Sequence, residues 1–459
     1  MGRFLAWLED RSGLVSWTRH ALTHPVPPRL GWWYVFGSAT LIAFLLQVVT
    51  GIALATAYVP STGQAYDSLQ FITERALMGR FLRGLHYFGA SAMVLLIGIH
   101  VSRTYLMAAY KFPRELNWLT GAVLLLLTLA LAFTGQLLRW DQTAVWSVVV
   151  AAAQAGRVPV VGTELARFIL AGDTLGGATL SRFFAWHVFF IPALVFLLIG
   201  LHLALVLRHG ISERPRPGEP VDPATYRERY QALLRREGVP FWPDAAWRDV
   251  VFGAATVAVI ALLAVIVGPP ELGRPPDPTI LRAYPRPDWY FLWYFAVLAL
   301  TPKHLETAVI VVAPLVFGAI LLLVPVFNKG ERSVRRRPWA ALLVVVMWTT
   351  IAGFWYAGAR ASWSPDFAAQ PLPAQVVRDT LPEVVRGAQL FYGKGCEFCH
   401  TVGGHGGKRG PDLSDVATRM TPEEMSLRIT NGSPNMPAYA ASLTPEELRA
   451  IVAFLATRK

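Results

Sequence analysis

Seven apolar stretches, each long enough to cross the roughly 30 Å hydrocarbon core of a membrane, limit what this chain can fold into. Backbone amides in lipid need partners within their own segment, so each stretch is predicted to be a helix. The stretches are residues 32–55, 85–102, 116–138, 183–207, 250–268, 308–327 and 339–357. A shorter apolar run, Trp289–Leu300, is predicted to be an interfacial or re-entrant helix. The sequence therefore predicts an all-α membrane protein.

The composition and charge distribution agree with a membrane protein. The 459 residues are 54% hydrophobic and 16% charged, which excludes a disordered chain and disfavours a cytosolic globular protein. The net charge of +12 would suit a nucleic-acid binder, but the basic residues lie in loops beside the spans, so no nucleic-acid partner is expected. Arginine and lysine are concentrated before the first span and after the second, fourth and sixth. The positive-inside rule therefore predicts a cytoplasmic N-terminus in a bacterial inner membrane, with everything after the seventh span outside.

Both cysteines fall in one motif, Cys396-Glu-Phe-Cys399-His400, in the polar segment after the last span. C-x-x-C-H is typical of covalent haem c attachment, in which two thiols bond to the vinyl groups and the histidine ligates the iron. The alternative is a chance or redox-active cysteine pair, which the adjacent His400 disfavours. An extracytoplasmic haem c domain is therefore predicted.

The second axial ligand of that iron is expected some tens of residues further on, in a loop. Met436 follows a Gly/Asn-rich turn and precedes a proline, a setting that resembles the distal loop of class I cytochromes c. Met420 and Met425 flank a predicted helix start, and His405 is a further alternative. A methionine ligand raises the potential relative to histidine, which suits an acceptor at the high-potential end of an electron-transfer chain.

Histidines inside predicted spans are candidates for function. His86 and His100 lie in the second span, and His187 and His202 lie in the fourth, at intervals of 14 and 15 residues. Fourteen residues are close to four helical turns, about 21 Å of rise, so two facing helices would form two His–Fe–His sites, one above the other. A lone buried histidine would more often be structural, but two matched pairs disfavour that alternative.

Glycines recur at the same interval in the other two spans of this group. Gly37 and Gly51 lie in the first span, and Gly121 and Gly135 lie in the third. Glycine destabilises a helix interior by roughly 0.5–1 kcal/mol relative to alanine, but it lets a flat group approach the backbone closely. The pattern predicts two non-covalent b haems stacked through a four-helix bundle.

With these residues, the region 20–357 resembles cytochrome b of the quinol-oxidising bc complexes, most closely the cytochrome b6 plus subunit IV branch. The stretches that carry the resemblance are Val26-Pro-Pro28, Arg83-Gly-Leu-His86, His100-Val-Ser-Arg103, Lys111-Phe-Pro-Arg-Glu115, Trp140-Asp-Gln142 and Arg182-Phe-Phe-Ala-Trp-His187. The resemblance implies a low-potential haem on His86 and His187 near the outside. It implies a high-potential haem on His100 and His202 near the cytoplasm.

Further site residues follow from the same resemblance. Arg83 and Arg103 match the positions of the family's haem-propionate partners. Val35 replaces the cysteine that holds an additional covalent haem in the b6 branch, so no covalent haem is predicted in the membrane part. Arg208, at the cytoplasmic end of the fourth span, is a candidate inner quinone contact, and a positive-inside residue is an equal alternative.

Residues 287–290, Pro-Asp-Trp-Tyr, resemble the Pro-Glu-Trp-Tyr signature of the family's quinol-oxidising site. Asp288 replaces the glutamate and could take a proton from a quinol hydroxyl. Because aspartate is one methylene shorter, a water molecule or a small shift must bridge the gap. Pro287, Trp289 and Tyr290 complete the candidate catalytic set, and an aromatic interfacial anchor is the alternative.

The predicted protein is a cytochrome b fused to a class I cytochrome c, acting in a quinol:cytochrome c oxidoreductase on the membrane quinone pool. The predicted domains are a four-helix dihaem domain at 1–211, a three-helix domain at 212–360, a Pro-rich linker at 361–379 and the cytochrome c domain at 380–459. Both cysteines are used, so the resemblance implies a separate Rieske iron–sulfur protein, a dimeric complex and a downstream cytochrome or oxidase. The alternatives are a dihaem anchor of a dehydrogenase or hydrogenase without electron bifurcation, and a non-enzymatic haem conduit.

Overall fold

The computed structural model confirms the all-α fold. It describes residues 2–172, 175–276, 286–302, 304–327, 329–360, 370–377, 379–406, 410–433, 436 and 438–459. The helices up to residue 360 are α1 (Gly2–Ser12), α2 (Leu14–Thr23), α3 (Phe36–Ala55), α4 (Ala65–Glu74), α5 (Gly79–Leu106), α6 (Glu115–Leu137), α7 (Gln142–Ala155), α8 (Gly162–Leu170), α9 (Gly177–Ala185), α10 (Ile191–His209), α11 (Tyr226–Glu237), α12 (Ala246–Ile266), α13 (Leu292–Leu300), α14 (Glu306–Leu323) and α15 (Pro338–Arg360). Two short strands, β1 (Pro25–Val26) and β2 (Val239–Pro240), pair antiparallel.

In the part of the chain that the structure describes, seven helical segments are long and apolar enough to span a membrane, as predicted. They are α3, α5, α6, the continuous segment Gly177–His209, the segment Phe241–Ile266 that contains α12, α14 with its 3-10 extension to Phe327, and α15. A π-helical turn, Trp186–Phe190, joins α9 to α10. The second span is longer than its apolar run, because backbone hydrogen bonding continues through charged residues such as Arg83 and Arg103.

The first four spans pack around small side chains. Helix α3 lies along α5, α6 lies along α10, and α12 packs against both α3 and α5. Ala39, Ala43 and Phe44 of α3 meet Met93 of α5 and Val195 of α10 in one buried cluster. Alanine at this contact lets the helices approach closely, which brings the histidine-bearing faces of α5 and α10 toward each other.

The run Trp289–Leu300 is a short helix that begins with a 3-10 turn, Trp289–Phe291, and continues as α13. It packs against α15, and the Tyr294 hydroxyl donates a hydrogen bond to the Gln154 side chain of α7 at 3.1 Å. Helix α13 is therefore held between α15 and α7.

The Pro-rich loop 212–223 is attached to the loop before α15. Val221 forms an antiparallel backbone bridge with Gly330, and Arg332 forms an ion pair with Glu213. The physical reason is that buried polar groups need partners, and each loop supplies them to the other.

Lys111 and Arg114, in one of the stretches that carry the resemblance, also link loops at this end of the bundle. The Lys111 ammonium donates to the carbonyl oxygen of Glu331 at 3.0 Å, and burial lowers the pKa of this lysine to about 8. The Arg114 guanidinium donates to the Gly210 carbonyl at 2.9 Å and to the Tyr226 hydroxyl at 2.7 Å. These two side chains tie together the loops at one end of the bundle.

The C-terminal domain is a small helical unit with α16 (Ala374–Val377), α17 (Pro382–Gly393), α18 (Pro422–Asn431) and α19 (Pro445–Ala456). Strands β3 (Thr401–Val402) and β4 (His405–Gly406) form its one described hairpin. Helices α17 and α19 cross so closely that a Cβ at Gly387 would lie 1.9 Å from the Ala450 carbonyl oxygen. Phe391 and Phe454 fill the core beside this crossing.

Candidate haem centres and quinol site

His86 and His187 meet in the bundle, each against a predicted glycine. Their ring centroids are 6.2 Å apart, with the ring planes at 77°. A Cβ built at Gly51 would lie 3.2 Å from His86 Cε1, and one at Gly135 would lie 2.6 Å from His187 Cε1. The two histidines therefore face each other where α3 and α6 offer bare backbone.

The second pair repeats this arrangement. A Cβ at Gly37 would lie 3.0 Å from His100 Cε1, and one at Gly121 would lie 3.5 Å from His202 Cε1. Each of the four predicted glycines therefore contacts one of the four predicted histidines. The contacts occur at two levels, as the matched intervals require.

Three threonines orient the histidine rings, and the sequence analysis missed them. Thr50 Oγ1 lies 3.0 Å from His86 Nδ1, Thr134 Oγ1 lies 3.1 Å from His187 Nδ1, and Thr120 Oγ1 lies 2.8 Å from His202 Nδ1. Each threonine directly precedes a predicted glycine, so the Thr-Gly dipeptide was the available signal. A partner on Nδ1 leaves Nε2 free to bind a metal.

A b-type haem fits these residues. The four glycines form a cradle that larger side chains would fill. Arg103 is only 8% exposed, and its Nε and Nη2 atoms lack hydrogen-bond partners among the described residues. Its guanidinium carbon lies 3.8 Å from the centroid of the Tyr34 ring. A buried, unsatisfied guanidinium beside an iron-ligand candidate matches a carboxylate-bearing porphyrin.

Arg83 is placed differently. It is buried, and its guanidinium donates to Thr73 Oγ1 at 3.0 Å and to the Pro270 carbonyl oxygen at 2.8 Å. These bonds join α4, α5 and the loop after α12. Contact between Arg83 and a propionate stays a prediction.

Asp288 lies in a polar network at the same end of the bundle as His86 and His187. Arg139, four residues after Gly135, has Nη1 3.6 Å from Asp288 Oδ1, and the Tyr290 hydroxyl donates to Asp288 Oδ2 at 3.1 Å. Burial, followed by the nearby Asp288 charge, raises the pKa of Tyr290, which keeps its hydroxyl protonated. Arg139 was not predicted from the sequence as a site residue.

The neighbouring residues support this loop. Pro287 precedes the 3-10 turn, and the Trp289 Nε1–H donates to Ser91 Oγ of α5 at 3.1 Å. Trp289 also lines an apolar cavity of about 520 Å³ between α5 and α12, together with Tyr87 and Phe252. The indole of Trp289 thus lies against an apolar space, and the carboxylate of Asp288 and the phenol of Tyr290 flank it in the chain.

Arg208 lies at the other end, in the last turn of α10. It lines a second cavity, of about 420 Å³, with Glu115, His209 and Arg227. Arg208 follows His202 by six residues, about 9 Å of helical rise. An inner quinone contact at Arg208 stays a prediction.

The haem c motif has the features that iron ligation by His400 requires. His400 Nδ1 lies 2.9 Å from the Pro411 carbonyl oxygen, so its N–H donates there and Nε2 remains free. A Cβ at Gly410 would lie 2.6 Å from the His400 ring. Burial raises the pKa of the Cys396 thiol to about 12, and Cys399 is partly buried beside it in the motif.

The methionine candidates differ in their packing. Met425 is 3% exposed and belongs to the core of the C-terminal domain. Met436 is partly buried against that core and forms a backbone bridge with Ser433. Met420 also packs against the core, and His405 is exposed in β4. Met436 is thus a loop residue beside the core, and its role as an axial ligand stays a prediction.

Three family models match separate parts of the chain. The family model "Cytochrome b/b6/petB" matches residues 21–210, "Cytochrome b(C-terminal)/b6/petD" matches 278–371, and "Cytochrome C oxidase, cbb3-type, subunit III" matches 382–455. Cytochrome b6 of Synechococcus sp. is 36% identical over 212 residues, 46% of this chain and 99% of that protein. Cytochrome b of Allochromatium vinosum is 31% identical over 365 residues, 76% of this chain and 87% of that protein. A solved structure of a hyperthermophilic respiratory complex III is similar with a TM-score of 0.66 and 25% identity, over 78% of this chain and 92% of that one.

Proposed function

Since this chain belongs to the cytochrome b family and carries a cytochrome c domain, we propose that it is the haem-bearing membrane subunit of a quinol:cytochrome c oxidoreductase. It is a multi-pass membrane protein with seven candidate spans among its described residues. The observation that carries the proposal is the position of the Asp288 network at the His86–His187 end of the bundle. A quinol oxidised there would lie close to one metal centre.

The haems would be held by residues from two helical segments, α5 and Gly177–His209, and from the C-terminal domain. His86 with His187 and His100 with His202 would ligate two b haems, and His400 with Met436 would ligate a haem c bonded to Cys396 and Cys399. When bound, these groups would supply one-electron transfer between the quinol site, the opposite membrane face and the outer domain.

At the quinol site the protein would bind the quinol ring and accept a proton from one of the quinol hydroxyls. Tyr290 occupies Oδ2 and Arg139 Nη1 lies 3.6 Å from Oδ1, so a quinol hydroxyl would reach Oδ1 beside the guanidinium. The apolar cavity beside Trp289 offers space for an apolar quinol. The Asp288 side chain is 16% exposed, which provides a route for the proton from Oδ1 to water.

The partners and orientation follow from the same proposal. A Rieske iron–sulfur protein would be a separate subunit, because Cys396 and Cys399 are needed for haem c. The complex would be dimeric and would draw on the membrane quinone pool, with a downstream cytochrome or oxidase as acceptor. The N-terminus would be cytoplasmic and the cytochrome c domain extracytoplasmic, with domain boundaries at 211, 360 and 379.

Quinol-dependent reduction in the purified complex tests the function. We expect quinol to reduce both the b and c haems, with a Rieske subunit present, and an outer-site inhibitor to block this reduction. Reduction of the b haems alone, without a Rieske subunit, would instead indicate a dihaem anchor of a dehydrogenase or hydrogenase. Haems that no quinol reduces would indicate an electron conduit.

Two extractable b haems and one covalent c haem are expected per chain. Four histidines can ligate two non-covalent haems, whereas Val35 offers no thiol in the membrane part. Acid–acetone extraction followed by pyridine haemochrome spectra measures the division. Two haems that resist extraction would contradict this expectation.

Met436→Ala is expected to retain the covalent haem and to lose the Met–Fe charge-transfer band at the red edge of the oxidised spectrum. Cys396 and Cys399 hold the porphyrin in the variant, so only the sixth ligand changes. Optical spectra of the oxidised protein measure the band. Met420→Ala is the matched control and should keep it; loss of the band there, with its survival in Met436→Ala, would transfer the role to Met420.

A further inference from the structure

The threonine hydroxyls beside three of the four histidines each donate their proton to a backbone carbonyl, which leaves the oxygen to act as an acceptor toward the imidazole. Thr50 Oγ1 donates its proton to the Leu46 carbonyl at 2.7 Å, and Thr134 Oγ1 donates to the Ala130 carbonyl at 2.8 Å. Each hydroxyl has one proton, so when Nε2 binds iron and Nδ1 carries the imidazole N–H, the hydroxyl accepts the bond from Nδ1. Both residues serve the His86–His187 pair.

The other pair has only one such bond. Thr120 Oγ1 donates to the Leu116 carbonyl at 2.9 Å and accepts from His202. His100 lies against Gly37, which Phe36 precedes, and no residue that the structure describes gives its Nδ1 a hydroxyl partner. The hydroxyls are therefore divided two to one between the pairs.

A hydrogen bond accepted from Nδ1–H makes the imidazole a stronger electron donor through Nε2. A stronger donor stabilises ferric over ferrous iron, and hydrogen bonding of this kind is one means by which a protein sets haem potentials. We propose that Thr50, Thr134 and Thr120 are positioning residues that lower the potentials of the b haems, and that their uneven division makes the His86–His187 centre the lower of the two. This inference rests on the proposed ligation of two b haems by the four histidines.

Gln47 also packs beside His86 and belongs in the design of the test. With its amide oriented to satisfy its neighbours, its nitrogen donates to the His86 carbonyl oxygen at 2.8 Å and lies 3.3 Å from Nδ1. The amide remains unchanged in every threonine variant. Each threonine variant therefore differs from the wild type only by the hydroxyl that it replaces.

Valine has nearly the shape of threonine without its hydroxyl, so Thr50→Val, Thr134→Val and Thr120→Val test the proposal. Thr128→Val is the matched control, because Thr128 is a buried residue of α6 whose hydroxyl donates to the Leu124 carbonyl at 2.8 Å and contacts neither histidine pair. The measurement is a redox titration of the purified complex, followed by optical and EPR spectra of each b haem. Haem content is determined in the same samples.

Thr50→Val and Thr134→Val should each raise the lower b-haem potential, and Thr120→Val should raise the higher one. We expect a change of up to about tenfold in the ferric–ferrous equilibrium per hydroxyl, equivalent to about 59 mV for a one-electron couple. Thr128→Val should change neither, and threonine-to-serine variants should keep the original potentials.

The proposal would be overturned if the three valine variants bind both b haems and have the same b-haem potentials as the Thr128→Val control. A shift in the wrong haem would also overturn it. If one variant fails to assemble, the other two still test the proposal, because each removes a different hydroxyl. A wild-type complex without two b haems would refute the proposed ligation itself, which separates that failure from failure of the threonine inference.

Discussion

Asp288→Asn is expected to slow quinol oxidation about 100-fold while all three haems stay bound. Asparagine keeps the size and shape of the side chain, but its amide oxygen is too weak a base to take the quinol proton. General-base contributions run from about 10² to 10⁴, and water reaching this partly exposed position would substitute in part, so the lower figure is expected. The measurement is the steady-state quinol:cytochrome c rate, with haem content from spectra of the same preparation.

Two variants make the result specific to the carboxylate at this position. Asp288→Glu should retain more activity than Asp288→Asn, since it restores a proton acceptor. Glu306→Gln removes another carboxylate, paired with Arg157 at 2.7 Å outside the proposed site, and should leave turnover unchanged. Full turnover of Asp288→Asn with intact haems would mean that another group takes the proton and that residues 287–290 act as an anchor.

Gly135→Ala is expected to remove the haem of the His86–His187 pair. The complex would then contain one b haem per c haem instead of two. The new methyl group would lie 2.6 Å from His187 Cε1, which is closer than van der Waals contact permits. The imidazole cannot move aside without leaving the iron, because its position is the ligand position. Pyridine haemochrome spectra measure the ratio, and the redox titration shows which b haem is missing.

Two alanine variants serve as controls for the fold. Gly121→Ala places its Cβ 3.5 Å from His202 Cε1, an ordinary contact, and Gly200→Ala in α10 meets nothing within 4 Å. Both should keep two b haems and show that a methyl group in these helices is tolerated. Equal haem content in Gly135→Ala would show that the bundle expands freely at this level, and the tight cradle would then have no role in binding.

Features that follow from local covalent or periodic patterns were predictable from the sequence. The seven spans and the all-α fold were predicted from uninterrupted hydropathy, and the structure confirms them. Their ends were less accurate, as at α5, because the helix extends beyond the apolar run at both ends, through Arg83 and Arg103. The family was also predicted correctly, because its motifs are contiguous in the chain.

The histidine and glycine registers predicted which residues could share a site, since helical rise converts an interval in sequence into a distance along the axis. They left open which glycine meets which histidine. That depends on the rotation of each helix about its axis, and the packing of α3 and α6 against the histidine-bearing helices decides it. Gly135 and Gly121 consequently differ by 0.9 Å in their distance from a histidine ring, although they occupy equivalent places in the pattern.

The sequence by itself determined the spans, the haem c motif and the set of histidines and glycines, because each is written in one segment of chain. Only the tertiary structure decided that Arg139 pairs with Asp288, that three threonines contact histidine Nδ1, and that loop 212–223 is attached to Gly330. These contacts join residues that are far apart in the chain, and their partners are chosen by which helix faces meet. Burial then makes each partner necessary, because a polar group removed from water needs a hydrogen bond wherever the fold places it.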